Sequence, residues 1–433
     1  MSPLTLSRRL FLKSGAIAAV GYSLLPRFLG RALAAVPESG RRGKTLVTIF
    51  QRGAADGLSM VPPYAEPGYR LLRPSLAIAL PGSEEGVIDL DGHFGLHPAL
   101  APLKPLWEAG TLAVVHAVGL PGATRSHFDA QDFLDTGTPG RKGTPDGWLN
   151  RALESDSTSN SGAAAQRPIR PFRAVALQPA LPRSLTGSAP ALAIDSLESF
   201  RLGGAGGRFA RAAVATRMDT FESLYASAVD DALRITGAEA FDALRSVDEA
   251  KLAELPPQNG AEYPRGPLGK RLQDIARLIR ADVGLEIAVT DCVGWDTHVQ
   301  QGAAKGQLAN RLEELGKALA AFATDLGDRM SDVCVVTMTE FGRTARENGN
   351  RGTDHGSASA LFTFGGSVKG KRVAGAWRPL RDEHLFEGRD LAVQTDIRGV
   401  LLEALAGHLS IPSAPEIFPG FAADGAQRTG VFG

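Results

Sequence analysis

Cysteine is nearly absent from this sequence: Cys292 and Cys334 are the only two in 433 residues. That excludes a disulfide scaffold and any zinc or iron–sulfur centre built from thiolates, so inorganic chemistry here must draw on oxygen and histidine ligands. Net charge is absent as well, with 47 Lys and Arg balanced by 47 Asp and Glu. Neither a generally basic nucleic-acid surface nor an acidic solvating tail is therefore expected, and nucleic acid is not an expected partner. A dinucleotide fingerprint is missing too. The glycines at 203–207 follow no strand inside a βαβ unit and read as a flexible connection, so a redox enzyme has no support. What remains is ordinary globular material, 43% hydrophobic and 22% charged, with 50 glycines and 27 prolines that imply many turns and long connections.

The first residues read as an address. Ser7-Arg8-Arg9-Leu10-Phe11-Leu12-Lys13 precedes a mildly apolar run over 14–25 and a small-x-small site, Ala32-Leu33-Ala34. This resembles a bacterial twin-arginine export signal. The run is interrupted by Gly21 and followed by Pro26, which makes it a poor membrane span. The expected mature chain begins near Ala35, does not span a membrane, and resides in the periplasm after passage through the twin-arginine translocase. Export by that route carries proteins already folded, often around a cofactor.

Beyond the signal, short buried-strand patterns at 46–50, 111–118, 173–177, 189–194, 284–291, 332–338 and 360–364 are interleaved with helical patterns at 97–107, 126–135, 268–281, 307–329 and 396–408. Residues 154–171 are poor in apolar side chains and read as a surface loop. Alternation of this kind predicts an α/β fold, a three-layer α/β/α domain over 44–412 with a mostly parallel central sheet. A mostly helical insertion is expected near 200–265, and residues 413–433 read as a C-terminal tail.

Open parallel sheets carry ligand sites beyond the carboxyl ends of their strands, and four strand ends here run into polar clusters. They are Arg52-Gly53-Ala54-Ala55-Asp56-Gly57, Thr124-Arg125-Ser126-His127-Phe128-Asp129, Gly294-Trp295-Asp296-Thr297-His298, and Thr339-Glu340-Phe341-Gly342-Arg343 followed by Gly352-Thr353-Asp354-His355-Gly356. Asp296 and His298, two apart in extended chain, can reach one cation. Asp354 and His355 make a second such pair, while Asp56 and Glu340 supply carboxylates for a harder cation. Mixed oxygen and nitrogen ligands suit zinc, manganese or iron. Ser126 and Thr124 stand at a helix start, where free N–H groups favour an anion, and each is a candidate nucleophile or a helix cap. Arg343 and Arg125 are candidates for clamping an oxyanion. His116, inside an apolar strand, reads as a core histidine.

Taken together, RGAADGL, RSHFDAQDF, GWDTH, TEFGRT and GTDHG, after the twin-arginine start, resemble the exported bacterial proteins of domain-of-unknown-function family 1501. That family is in turn similar to the alkaline phosphatase and sulfatase superfamily. The resemblance implies an alkaline phosphatase-like fold with one or two divalent metal ions (zinc, manganese, iron or calcium) and a small anionic ester as substrate. It implies Asp56, Asp296, His298, Glu340, Asp354 and His355 as metal ligands, with Ser126, Thr124 and Arg343 as catalytic groups. Two alignments stay open: Glu340 as the strand-end ligand with His355 as the final histidine, or Asp354 and His355 together as the Asp-His pair. Two functions follow, a metal-dependent hydrolase of phosphate or sulfate esters and a degenerate sulfatase-like binding protein of the envelope without turnover.

Overall fold

The computed structural model describes residues 43–122, 124–158, 172–200, 251–412, 415–422 and 428–433. The signal over 1–35 and most of the insertion expected near 200–265 lie outside the described residues; 251–265 contain one short 3-10 turn, Leu252–Glu254.

Eight-residue runs dominated by β-branched and other apolar side chains form the first two strands, β1 (Thr45–Arg52) and β2 (Leu112–Gly119), which are buried almost throughout. Seven more complete the central sheet: β3 (Ala174–Leu177), β4 (Leu192–Ile194), β5 (Ile287–Val293), β6 (Val333–Met338), β7 (Ser359–Gly365), β8 (Arg372–Ala374) and β9 (Thr395–Asp396). The order across the sheet is β8-β2-β7-β6-β1-β5-β3-β4, with β9 alongside β2. All pairings are parallel except those of β7, which runs antiparallel to both β2 and β6. Strands buried on both faces need cover on both faces. Helices supply it, giving the three-layer α/β/α arrangement that the alternation predicts.

On one face, α6 (Pro267–Arg280) and α7 (Gln307–Leu326) bury Leu272, Ile275, Leu312, Leu315 and Phe322 against Val47, Ile49, Ala288 and Val335 of the sheet. On the other, α5 (Trp148–Thr158) and α8 (Ile397–Ala404) pack Trp148, Leu149, Val400 and Leu401 against Leu46, Val115, Val336 and Leu361. Four shorter helices precede α5 in the chain: α1 (Gly57–Met60), α2 (Pro67–Leu72), α3 (Lys104–Glu108) and α4 (His127–Thr136). The helical pattern at 97–107 is broken by its prolines into a 3-10 turn, Pro98–Leu103, followed by α3. The loop expected over 154–171 begins later, because α5 continues to Thr158.

Residues Ile417, Phe418, Val431 and Phe432, in the segment the sequence leaves as a tail, are buried in the second core. Cys292 on β5 and Cys334 on β6 are free thiols separated by the whole of β1. Among the described residues, no helix is long and apolar enough to cross a membrane.

Candidate functional site

The carboxyl ends of β1, β2, β5 and β6 lie along one edge of the sheet. Because β7 is antiparallel, the loop that precedes it reaches this same edge, and Asp354 and His355 arrive there beside the loops that follow β5 and β6. The 340–344 and 354–357 segments then pair with each other: Gly342 N–H donates to Ser357 O, Gly356 N–H to Gly342 O, and Thr344 N–H to Asp354 O. Gly342 is required for this close approach, since a Cβ there would stand 1.7 Å from Ala358 O.

Three imidazoles and one carboxylate converge where these loops meet. His355 Nε2 lies 3.0 Å from His127 Nε2 and 3.0 Å from His298 Nε2. Asp296 Oδ1 lies 3.0 Å from His298 Nε2 and 3.2 Å from His355 Nε2, and its Oδ2 lies 3.5 Å from His127 Nε2. His127, Asp296 and His355 form a three-residue group with metal-ligand spacing, the one such group among the described residues. The cluster is open to solvent, with Asp296 and His298 side chains 42% and 40% exposed.

Each ring is turned by a partner on its far nitrogen. His355 Nδ1 faces Arg125 O at 2.9 Å, His127 Nδ1 faces Glu340 Oε1 at 2.8 Å, and His298 Nδ1 faces Asp354 Oδ1 at 3.0 Å. A carbonyl or an ionised carboxylate can only accept, so each Nδ1 donates and it is Nε2 that each ring turns toward the cluster. Burial works against the charge on Glu340, but hydrogen bonds from His127 and Gln131 hold its carboxyl below the usual range. Asp354 is likewise held low, against burial, by Asn348 and His298. Burial depresses His355 and keeps it neutral, whereas the Glu340 hydrogen bond raises His127. Asp296 stays ionised because Arg343, at 2.6 Å, outweighs the cost of its burial. His355 Nε2 and the Asp296 carboxylate each lie within 3.5 Å of the other two rings, a crowding of ligand atoms that a cation would favour.

The residues singled out in the sequence divide accordingly. Asp296, His298 and His355 meet in the cluster. Glu340 and Asp354 stand one step behind it, on the far nitrogens of His127 and His298. Glu340 is buried and engaged: Oε1 accepts from Gly53 N–H, His127 and Gln131, and Oε2 lies 3.1 Å from Thr339 Oγ1, whose one proton is shared with Gln51 O. Asp56 is elsewhere. Its buried carboxylate takes two hydrogen bonds from Arg73, at 2.6 and 2.9 Å, and one from Gln301 at 2.7 Å, which corrects the expectation of a metal ligand at the end of β1. Arg343 is also redirected. It is 1% exposed, and its guanidinium is engaged by Asp296, Thr353 Oγ1 and Thr353 O, so it fixes Asp296 rather than presenting donors to a substrate. Ser126 is the N-cap of α4, its Oγ accepting from Asp129 N–H, and Thr124 Oγ1 accepts from Ser126 N–H. Arg125 pairs with Glu387 and Asp390.

His127 is the member that strand-end reasoning passed over. It adjoins Ser126 in RSHFD, at the first position of α4, and its only sequence signal is that it lies within one of the strand-end clusters.

Comparison with solved structures finds 19 similar chains, among them the two that follow. The lipoteichoic acid synthase LtaP from Listeria monocytogenes is 9% identical with a TM-score of 0.35, covering 90% of this chain and 74% of that one. The C-terminal periplasmic domain of EcEptC from Escherichia coli, in complex with Zn, is 9% identical with a TM-score of 0.33, covering 76% of this chain and 74% of that one. No curated protein sequence matches. The family described as protein of unknown function (DUF1501) matches residues 111–404, a span that contains all four residues of the cluster, and the chain belongs to that family.

Proposed function

We propose that this chain is an exported, metal-dependent hydrolase of phosphate or sulfate esters. One observation carries the reading: the Nε2 atoms of His127, His298 and His355 and the carboxylate of Asp296 converge on a single solvent-open point at the carboxyl edge of the sheet. A divalent cation held there supplies a Lewis acid and lowers the pKa of a bound water or hydroxyl. The chain's own groups do the rest. Glu340, Asp354 and the Arg125 carbonyl fix the three rings, and Arg343 fixes Asp296. Ser126 caps α4 as an acceptor, which leaves its hydroxyl proton free to be given up, and the N-terminus of that ten-residue helix favours an anionic group. The Arg8-Arg9 pair supports export to the periplasm through the twin-arginine translocase.

The test is hydrolysis of a panel of phosphate monoesters, phosphate diesters and sulfate esters by the mature protein. Chelation should abolish turnover and added metal restore it, and His127→Ala and His355→Ala should each lower kcat/KM by roughly a thousandfold. Undiminished turnover in both variants would sink the reading. A second reading, ligand binding without turnover, is favoured by the burial of Arg343, which removes an expected clamp for the developing charge. It predicts a metal-loaded protein that binds an anion and hydrolyses nothing on the panel.

A further inference from the structure

Resting on the reading of this cluster as a metal centre, we infer that it takes one borderline transition-metal ion, of the zinc, iron or manganese class, on three histidines and one aspartate, and that the site has no place for a second ion or for calcium or magnesium. The donor set decides the class. Three imidazole nitrogens and a single carboxylate suit first-row transition metals, whereas calcium takes six to eight oxygens and magnesium near-octahedral oxygen ligands. Spacing agrees. A four-coordinate ion with ligand bonds of about 2.0–2.1 Å needs ligand atoms roughly 3.3 Å apart; His127, Asp296 and His355 meet that spacing mutually, at 3.0 to 3.5 Å, and His298 joins them from the His355 and Asp296 side, at 3.0 Å from each.

Oxygen ligands for a second ion would have to come from neighbouring carboxylates, and among those beside the cluster only Asp354 keeps an oxygen, Oδ2, without a protein partner, one ligand atom where a second ion needs several. Glu340 Oε1 has three donors, and its buried Oε2 lies against Thr339 Oγ1. Asp56 is held by both nitrogens of the Arg73 fork and by Gln301. Asp291 lies between Arg52 and Arg271, at 2.8 and 2.7 Å. Asp354 Oδ1 accepts from His298 and Asn348. Arg343, 2.6 Å from Asp296, adds fixed positive charge on the side where a second cation would have to share that carboxylate. The ligand rings are held from behind instead. The longest support runs from Asp291 through Arg52 to Gln131, then to Glu340 and His127, each link a hydrogen bond of 2.8 to 3.0 Å. Glu340 is thus a positioning residue for His127.

The experiment is a metal titration of the whole mature protein after chelation, followed by native mass spectrometry, with cobalt(II) as a spectroscopic probe of coordination. The expected result is one zinc or cobalt ion per chain, not displaced by millimolar calcium or magnesium. Stoichiometry should fall to zero in His355→Ala and in His298→Ala, whose exposed ring leaves the fold unperturbed, as circular dichroism would verify. Glu340→Gln should keep one ion with affinity reduced about 10- to 100-fold and a cobalt spectrum close to that of the parent. Two ions per chain, displacement by calcium or magnesium, or one ion retained in both histidine variants would overturn the inference. One zinc ion per chain with no ester hydrolysis defeats the proposed activity and leaves this inference standing; hydrolysis with two ions does the reverse.

Discussion

Histidines in this chain carry opposite assignments according to what their nitrogens touch. The three rings of the cluster turn their Nε2 atoms toward a shared, solvent-open point, while His116 and His408 have both nitrogens satisfied inside the fold. His116 Nε2 donates to Val61 O and Nδ1 accepts from Ala117 N–H; His408 Nε2 donates to Thr45 O and Nδ1 accepts from Ser367 Oγ. Burial lowers both from 6.5 to about 4. Between those values an unfolded histidine is protonated and the folded one is not, so the unfolded chain binds more protons and stability falls as pH drops from about 6.5 to about 4. Each ring contributes about 3 kcal/mol to that loss. Asp135 opposes it, because burial raises its carboxyl to about 6 and the folded state then holds its proton longer over the same window. Two histidines outweigh one carboxyl, so the midpoint temperature should decline across pH 6.5 to 4, and His408→Gln should flatten that slope. A melt series showing no difference between parent and variant would remove His408 from the account. At this scale the sequence separated His116 from the cluster because an apolar strand surrounds it. It could not separate Asp56 from Asp296. Both are aspartates after a strand, and only the arrival of Arg73, seventeen positions on, turns one into an interior ion pair.

Elements were more legible than residues, since burial periodicity is written into each strand. All seven expected strands are present, with ends shifted by a few positions. Strand direction was not legible. Ser359–Gly365 is buried at every position, and such a run looks the same whether it lies parallel or antiparallel. That direction is what brings Asp354 and His355 to the site. Strands β8 and β9, three and two residues long, are too short to show any period. Where elements meet at the site, backbones touch directly. Gly53, after β1, has φ +118°, and a Cβ there would lie 2.8 Å from Asp296 N and 3.1 Å from Trp295 N. Its own N–H donates to Glu340 Oε1. Gly53→Ala therefore strains the turn and displaces the Asp296 loop together with the carboxylate that orients His127. The expected outcome is a loss of about 1–3 kcal/mol in stability. In a zinc titration, affinity should fall at least about tenfold; parental affinity in a destabilised Gly53→Ala would show that the loop absorbs the strain without moving its ligands.

At the scale of the whole molecule, the sheet separates two cores, and the second is closed by the chain's last described segment. Phe418 stacks on Trp148 at 5.5 Å between ring centroids, and Ile417, Val431 and Phe432 fill the space beside α8. Backbone bonds tie the segment down. Ile417 O accepts from Arg151 Nε and Nη2, Lys369 N–H donates to Val431 O, and Glu403 accepts from Thr429 and Gly430 N–H. Sequence reading leaves 413–433 as a tail because its apolar residues are few and scattered among Gly, Ala and Pro, with no helix or strand period. Their burial depends on a groove that α5 and α8 create only once folded. Burying four such side chains contributes about 6–12 kcal/mol as an upper bound, which is comparable with the 5–15 kcal/mol that holds an entire domain together. Deleting residues after Ser410 should therefore cost most of the fold's stability, although the cut lies on the face opposite α6 and α7 and touches no residue of the His127, His298, His355 and Asp296 cluster. Thermal melts of the mature chain with and without residues 411–433 measure this directly. A cooperative melt in the truncated chain within a few degrees of the parent would mean that the second core is complete without the segment.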